Sequence, residues 1–263
     1  MPDALPVASL PLRDRVFISA SIVLITALSW GYLVHLDRQM SAGMAHDKTM
    51  AEMGMTMDTP WTAADAFFTF AMWTVMMIGM MAPAAAPVLL IFAGARAKRG
   101  DRATAAALIF ALGYLFVWAG FSACATLGQW ALHQAAMLSM AMAASNRYLS
   151  GAIVIAAGAY QLTPWKGACL KHCRSPLGFL MTHWRDGTLG AFRMGLSHGA
   201  YCLGCCWALM CVLFVVGVMN LIWVAALTAF VLIEKIGPAG AIVARIAGAA
   251  MLVLGFLVMA AIV

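Results

Sequence analysis

The stretch His198-Gly199-Ala200-Tyr201-Cys202-Leu203-Gly204-Cys205-Cys206-Trp207 lies within an apolar run, residues 194–218, that is long enough to cross a lipid bilayer. Read as a helix, the stretch places one histidine and three cysteines on a single face, at positions i, i+4, i+7 and i+8: His198, Cys202, Cys205 and Cys206. Thiolates and imidazoles bind Cu(I) and Zn(II), and they have few other partners in hydrocarbon. The stretch therefore predicts a membrane-spanning helix with a metal-binding face, the alternative being that this face only packs.

Composition extends this interpretation to the whole chain. Of its 263 residues, 64% are apolar and only 10% are charged, whereas a soluble domain carries about 25% charged residues. Several further apolar runs of roughly 20 residues match the thickness of a bilayer. The formal net charge of +6 fits the basic cytoplasmic loops of membrane proteins, so it gives no reason to expect a nucleic-acid partner.

The apolar runs predict an all-α polytopic membrane protein, a bundle of about seven transmembrane helices in contact with lipid. The runs cover residues 16–36, 64–95, 103–132, 147–164, 194–218, 221–236 and 239–263. The whole chain is interpreted as a single transmembrane domain. Within it, residues 1–63 form a variable anchor helix and a methionine-rich outer loop that starts at residue 37, and residues 64–263 form the core bundle.

The basic residues orient the bundle. With the N terminus in the cytoplasm, 13 of the 16 Lys and Arg residues fall on the cytoplasmic side, and only Arg38, Lys48 and Arg147 fall outside. Cytoplasmic segments carry such an excess of basic residues, so we expect a multi-pass protein of the bacterial inner membrane with a cytoplasmic N terminus. At the end of the sixth run, Glu234 and Lys235 are expected to form a solvated pair at the membrane interface.

Sulfur ligands also occur in the second run, where Met72, Met76 and Met80 form a stripe at helical spacing that Met77 and Met81 extend. The stripe would lie at a depth similar to that of the cysteines, and thioethers suit Cu(I), although such a stripe is also typical of core packing. The outer loop adds six further methionines and one histidine between residues 40 and 57, beginning at Met40. This cluster is either a surface site that collects copper or a disordered linker.

The longest basic loop, residues 165–193, contains Cys169, His172 and Cys173. A cytoplasmic location is reducing, so transfer of a metal ion is expected there rather than a disulfide. The neighbouring Lys171 and Arg174 favour thiolates, but they also repel an approaching cation. We interpret the two cysteines and the histidine as a second candidate metal site at the inner face, apart from the site in the fifth run.

Four segments resemble a known family: Met76-Met-Ile-Gly-Met-Met-Ala-Pro83, Tyr160-Gln-Leu-Thr-Pro-Trp-Lys166, Cys169-Leu-Lys-His-Cys-Arg-Ser-Pro176 and Gly195-Leu-Ser-His-Gly-Ala-Tyr-Cys-Leu-Gly-Cys-Cys-Trp-Ala-Leu-Met210. They are similar to a group of bacterial integral membrane proteins, a domain of unknown function that is predicted to bind metal. The resemblance covers the chain from residue 64 to its end. It implies a multi-span fold and a metal site at His198, Cys202, Cys205 and Cys206, and it implies no particular reaction.

These observations favour a protein that handles a soft metal, with copper as Cu(I) the expected ion and zinc the alternative. It would act as a transporter or as a metallation factor, and its partner would be a metallochaperone or a membrane metalloenzyme. The sequence contains no nucleotide-binding loop and suggests no catalytic residue, so we expect a binding protein rather than an enzyme. Two alternatives stay open: a membrane thiol–disulfide relay and a subunit of a membrane metalloenzyme.

Overall fold

The computed structural model describes residues 10–52, 61–135 and 146–260, with only the backbone described for residues 42–52. In these three ranges the chain forms helices and contains no strand. The helices are α1 (Leu12–Glu52), α2 (Ala63–Lys98), α3 (Ala103–Gln134), α4 (Arg147–Gln161), α5 (Pro164–Arg174), α6 (Pro176–His183), α7 (Gly187–Cys211), α8 (Leu213–Val216), α9 (Leu221–Ile236) and α10 (Gly240–Met259).

Local sequence signals explain where several helices begin. The α2 helix starts with a capping box, in which the Thr62 hydroxyl accepts from the backbone N–H of Asp65 and the Asp65 carboxylate accepts from that of Thr62. The Asn146 side chain caps α4 by accepting from the backbone N–H groups of Tyr148 and Leu149. A further cap at Thr163, followed by Pro164 at the first helical position, separates α5 from α4.

Each of the seven predicted apolar runs falls largely within a helix. Five helical segments are long and apolar enough to cross a membrane: α1 up to Ser41, α2, α3, α7 together with α8, and α10. The α4 and α9 helices are shorter, with 15 and 16 residues. At about 1.5 Å per residue they are roughly 22 to 24 Å long, against a hydrocarbon core of about 30 Å.

Two predicted loops are partly wrong. The outer loop was expected from residue 37, but α1 continues to Glu52, because residues 37–52 contain no proline and many Ala, Met, Lys, Gln and Glu residues that favour a helix. Met40 packs at the edge of the core, whereas the side chains of the loop's other methionines and of His46 lie outside the described part of the chain. The predicted basic loop of residues 165–193 contains α5, α6 and the start of α7.

The cysteine-bearing helix α7 lies in backbone contact with α3. A Cβ atom added to Gly195 would lie 2.0 Å from the carbonyl oxygen of Phe110, and one added to Gly113 would lie 2.2 Å from that of Phe192. Small residues permit such close crossings of membrane helices. The crossing brings Tyr114 of α3 beside Cys202 of α7, so it positions one side of the candidate site.

A buried ion pair joins α5 to α9. The ammonium group of Lys166 lies 2.8 Å from a carboxylate oxygen of Glu234, and each residue is only 1% exposed. The Gln161 side chain accepts a hydrogen bond from Lys166 and donates one to Glu234. The expected solvated pair of Glu234 with Lys235 is therefore wrong: neighbouring residues of a helix point in different directions, and Glu234 points towards α5.

Replacing Lys166 by methionine tests this pair. The change leaves the Glu234 carboxylate buried without its cation, which should reduce the free energy of unfolding by about 3 to 5 kcal/mol. Thermal unfolding in detergent micelles, followed by circular dichroism, would measure the loss. Lys171→Met is the matched control, because Lys171 lies on the same helix and is exposed. Equal melting temperatures for the two variants would contradict a structural role of the pair.

Candidate metal centre

The structure buries the predicted metal-binding face of α7. The four side chains are 1% to 3% exposed: His198, Cys202, Cys205 and Cys206. The thiol of Cys205 donates to the carbonyl oxygen of Cys202 at 3.0 Å, and that of Cys206 donates to the same oxygen at 2.9 Å. These bonds turn both sulfurs back along the helix towards the sulfur of Cys202, so the three thiols form one compact group.

A buried lysine lies among these sulfurs. The ammonium group of Lys235, on α9, donates to Cys202 Sγ at 2.8 Å and lies 3.9 Å from Cys206 Sγ and 3.8 Å from Met81 Sδ. Lys235 is 7% exposed, so it is not the solvated residue that was predicted. Three sulfur atoms from α2 and α7 therefore surround one positive charge contributed by α9.

Tyr114 connects this group to the backbone of α2. Its hydroxyl donates to the carbonyl oxygen of Met81 at 3.2 Å and lies 3.0 Å from Cys202 Sγ. The ring is 3% exposed, so the hydroxyl has to find its partners inside the protein. Tyr114 thus holds the Met81 segment of α2 and Cys202 of α7 at a fixed separation. We call Cys202, Cys205, Cys206, Met81 and Lys235 the sulfur cluster.

The cysteines of α5 lie against the same face of α7. Cys173 Sγ is 3.9 Å from Cys205 Sγ, and Cys169 packs against Gly204, where an added Cβ atom would lie 2.8 Å from Cys169 Sγ. Burial raises the pKa of the Cys169 thiol. Hydrogen bonding with Cys202 and Cys205, followed by burial, raises the pKa of Cys173 well above its usual range. The expected separation between the cysteines of α5 and those of α7 is therefore wrong.

A cavity of about 180 Å³ adjoins the sulfur cluster, and its walls include Cys173, His198 and Lys235. The Nδ1 atom of His198 is buried and has no hydrogen-bond partner, which is uncommon for a buried polar atom and leaves it free to bind a ligand. Phe179 packs edge-on against the same ring. A larger cavity of about 280 Å³, near Met219, has no cysteine or histidine in its walls.

Three predicted ligands lie elsewhere. His172 stacks on Tyr201, with 4.2 Å between the ring centroids. Met76 and Met80 are fully buried, but the methionine sulfur described beside Lys235 is that of Met81. Tyr114 and Lys235 were not predicted as site residues, and Met81 was predicted only as an extension of the methionine stripe in the second run. Of the two residues that were not predicted, only Lys235 carried a usable signal, namely a charged residue within an apolar run.

In the described ranges, no group of three or more His, Cys, Asp or Glu side chains is arranged to share one metal ion. The side chains around the Lys235 ammonium group differ from such a group, because they combine the thiols of two cysteines with the thioether of Met81. Thiolates and thioethers are soft donors, and together they select Cu(I). The donor chemistry of the sulfur cluster thus fits a monovalent soft ion.

Comparison with known proteins gives one match. The family model of PpoB2, described as a copper chaperone, matches residues 70–258, a range that includes every residue of the sulfur cluster. The match covers most of the chain, so the chain belongs to this family. No curated protein and no solved structure matches it.

Gly204→Ala tests the contact between α5 and α7. The added methyl group would overlap Cys169 Sγ, so the sulfur must turn away or α5 must move outwards. Either change exposes Cys169 and lowers its pKa towards the usual value, so alkylation by iodoacetamide near neutral pH should become several-fold faster. Gly167→Ala is the control, since nothing lies within 4 Å of a Cβ atom there. Unchanged alkylation in Gly204→Ala would contradict the contact.

Proposed function

We propose that this member of the PpoB2 copper chaperone family spans the membrane, holds Cu(I) in its sulfur cluster and passes the ion to a partner protein. The observation that carries the proposal is the convergence of Cys202, Cys206 and Met81 on the ammonium group of Lys235. A buried position that stabilises one positive charge with three sulfur atoms suits a monovalent soft cation. The lysine and Cu(I) would therefore exchange at this position.

Charge and ligand number favour Cu(I) over Zn(II). Cu(I) carries the same single charge as the ammonium group, whereas Zn(II) would bring a second charge into a buried site. Zinc also prefers four ligands in a tetrahedral arrangement, whereas three sulfurs surround the Lys235 ammonium group, one of them a thioether. The adjoining cavity of about 180 Å³, which Lys235 already lines, gives the displaced side chain a place to move.

The remaining thiols provide a route away from this position. Cys205 shares the carbonyl partner of Cys206, and its sulfur is 3.9 Å from that of Cys173. An ion that exchanges ligands one at a time needs such neighbouring sulfurs. Cys173 lines the cavity together with His198, so we infer that the ion moves from Cys202 and Cys206 through Cys205 to Cys173.

The outer surface of the bundle supports the membrane location. Large apolar side chains are exposed on α3 and α10, for example Leu112, Phe116, Ile246 and Phe256, and contact with lipid would cover them. We propose seven spans, in which α4 and α9 cross a locally thin region beside the buried Lys166–Glu234 pair. A cytoplasmic N terminus then places α5 and α6, with their basic residues, at the cytoplasmic side of a bacterial inner membrane.

A thiol–disulfide relay is the second candidate, and the separation of Cys173 and Cys205 by 3.9 Å favours it. A disulfide requires the two sulfurs to approach to about 2.05 Å, so a small movement of α5 would suffice. The two functions differ in what the thiols do during turnover. Trapping with maleimide at controlled potentials should find reduced thiols for a copper carrier, whereas a trapped disulfide between Cys173 and Cys205 would support the relay.

Copper binding by matched pairs of variants tests the proposed function. The purified protein, loaded under reducing conditions in detergent, should retain about one Cu(I) per chain, and Cys202→Ser or Met81→Leu should lose most of it because each removes a converging sulfur. Cys124→Ser and Met80→Leu should retain it, since Cys124 is exposed and Met80 is a neighbouring buried methionine. Elemental analysis after gel filtration measures the content.

Circular dichroism of each variant controls for folding. Equal losses in Met80→Leu and Met81→Leu would show that the methionines contribute through packing and would contradict the assigned ligand set. Copper retained in full by Cys202→Ser would contradict the proposed function itself.

A further inference from the structure

A second group of metal-ligating side chains lies outside the sulfur cluster, where α5, α6 and α7 meet. His172 lies in the last turn of α5 and His183 ends α6, and the centroids of the two imidazole rings are 6.0 Å apart. Tyr201 of α7 lies against both rings. We propose that His172 and His183 form a distinct imidazole site for a copper ion. The proposal rests on the proposed function, because the imidazole site would hold the ion between the exterior and the sulfur cluster.

The hydrogen bonds of His172 leave one nitrogen available. Its Nδ1 atom lies 3.0 Å from the carbonyl oxygen of Ala168. A carbonyl oxygen can only accept, so Nδ1 carries the proton and donates it. In the neutral ring the lone pair is then on Nε2. Histidine ligands in metal sites commonly have this arrangement, with one nitrogen held by a backbone carbonyl and the other bound to the metal.

The hydrogen bonds of His183 also leave the lone pair on Nε2. The Thr182 hydroxyl donates its single proton to the carbonyl oxygen of Gly178 or Phe179, so towards His183 Nδ1, at 2.8 Å, it can only accept. Nδ1 therefore carries the proton and Nε2 has the lone pair. That lone pair faces the Tyr201 hydroxyl at 3.3 Å, a long hydrogen bond that a metal ion can replace at little cost.

The positions of the rings fit one shared ion. Histidine nitrogens bind metal ions at about 2.0 to 2.1 Å, so a separation of 6.0 Å between ring centroids allows one ion to bridge the two rings once both Nε2 atoms turn towards it. Both histidines are half-buried, which keeps the site within reach of a soluble partner. The cysteines of the sulfur cluster are almost fully buried. The imidazole site would therefore capture the ion near the surface, and the sulfur cluster would hold it in the interior.

Aromatic contacts link this imidazole site to His198, which lines the cavity beside the sulfur cluster. Phe179 stacks on His183 at 4.9 Å between centroids and packs edge-on against His198 at 5.1 Å. Tyr201 lies one helical turn before Cys205 on α7. Imidazole binds copper, zinc and nickel with less preference than thiolate does, so this site would accept the ion before the sulfurs select it.

Electron paramagnetic resonance of bound Cu²⁺ tests the imidazole site. The full chain should carry Cys169, Cys173, Cys202, Cys205 and Cys206 replaced by serine, so that these thiols neither bind nor reduce the Cu²⁺ probe. In this background we expect one bound Cu²⁺ with hyperfine splitting from two nitrogen ligands. His172→Gln or His183→Gln, each alone, should convert the pattern to that of one nitrogen. The double change should weaken binding by at least tenfold, on the scale seen when the support of a metal ligand is removed.

The control replaces two other exposed histidines, His35 and His133, and should leave the two-nitrogen signal unchanged. A two-nitrogen signal that persists in both single glutamine variants overturns the imidazole site, even if the double variant fails to fold. Failure of the imidazole site can be distinguished from failure of the proposed function. Loss of Cu(I) binding by the native thiols would remove the sulfur cluster as a carrier, whereas the Cu²⁺ spectrum is recorded without those thiols.

Discussion

The contact between the Lys235 ammonium group and the sulfur of Cys202, 2.8 Å long and buried, is the interaction on which the rest of the structure depends. A buried cation is costly unless polarisable or negative groups surround it. Here the surrounding sulfurs come from two helices and the cation from a third, because Met81 lies on α2, Cys202 and Cys206 on α7, and Lys235 on α9. The packing of these helices therefore sets the geometry of the site. An ion that replaces the ammonium group would contact the same sulfurs in the same arrangement.

A second buried charge pair supports this arrangement from the neighbouring side. Glu234 precedes Lys235 in the chain and faces Lys166 of α5, while Arg174 of α5 donates to the backbone carbonyl of Glu234 at 2.7 Å. The α5 helix is thus fastened to the residue beside the lysine of the sulfur cluster. Because α5 also carries Cys173, the same contacts position this thiol relative to Lys235.

The sequence predicts the helices and the buried face of α7 well, since apolar runs and the spacing of His198, Cys202, Cys205 and Cys206 depend on local periodicity alone. It predicts a methionine stripe that includes Met81 but does not single out Met81 as the neighbour of Lys235, because a one-residue choice depends on the rotation of α2 against α7. The burial of Lys235 is missed for a similar reason: a lysine near a helix end usually extends to the membrane surface. The contact of α5 with Gly204 depends on tertiary packing, and nothing in the basic loop indicates it.

The central claim is that the sulfurs around Lys235 bind Cu(I), and X-ray absorption at the copper edge tests it most directly. The full-length protein in detergent, loaded with one equivalent of Cu(I), should give a first shell dominated by about three sulfur scatterers. In the Met81→Leu variant the shell should lose one sulfur. A shell made mainly of nitrogen and oxygen atoms in the native protein would contradict the claim, because the ion would then lie outside the sulfur cluster.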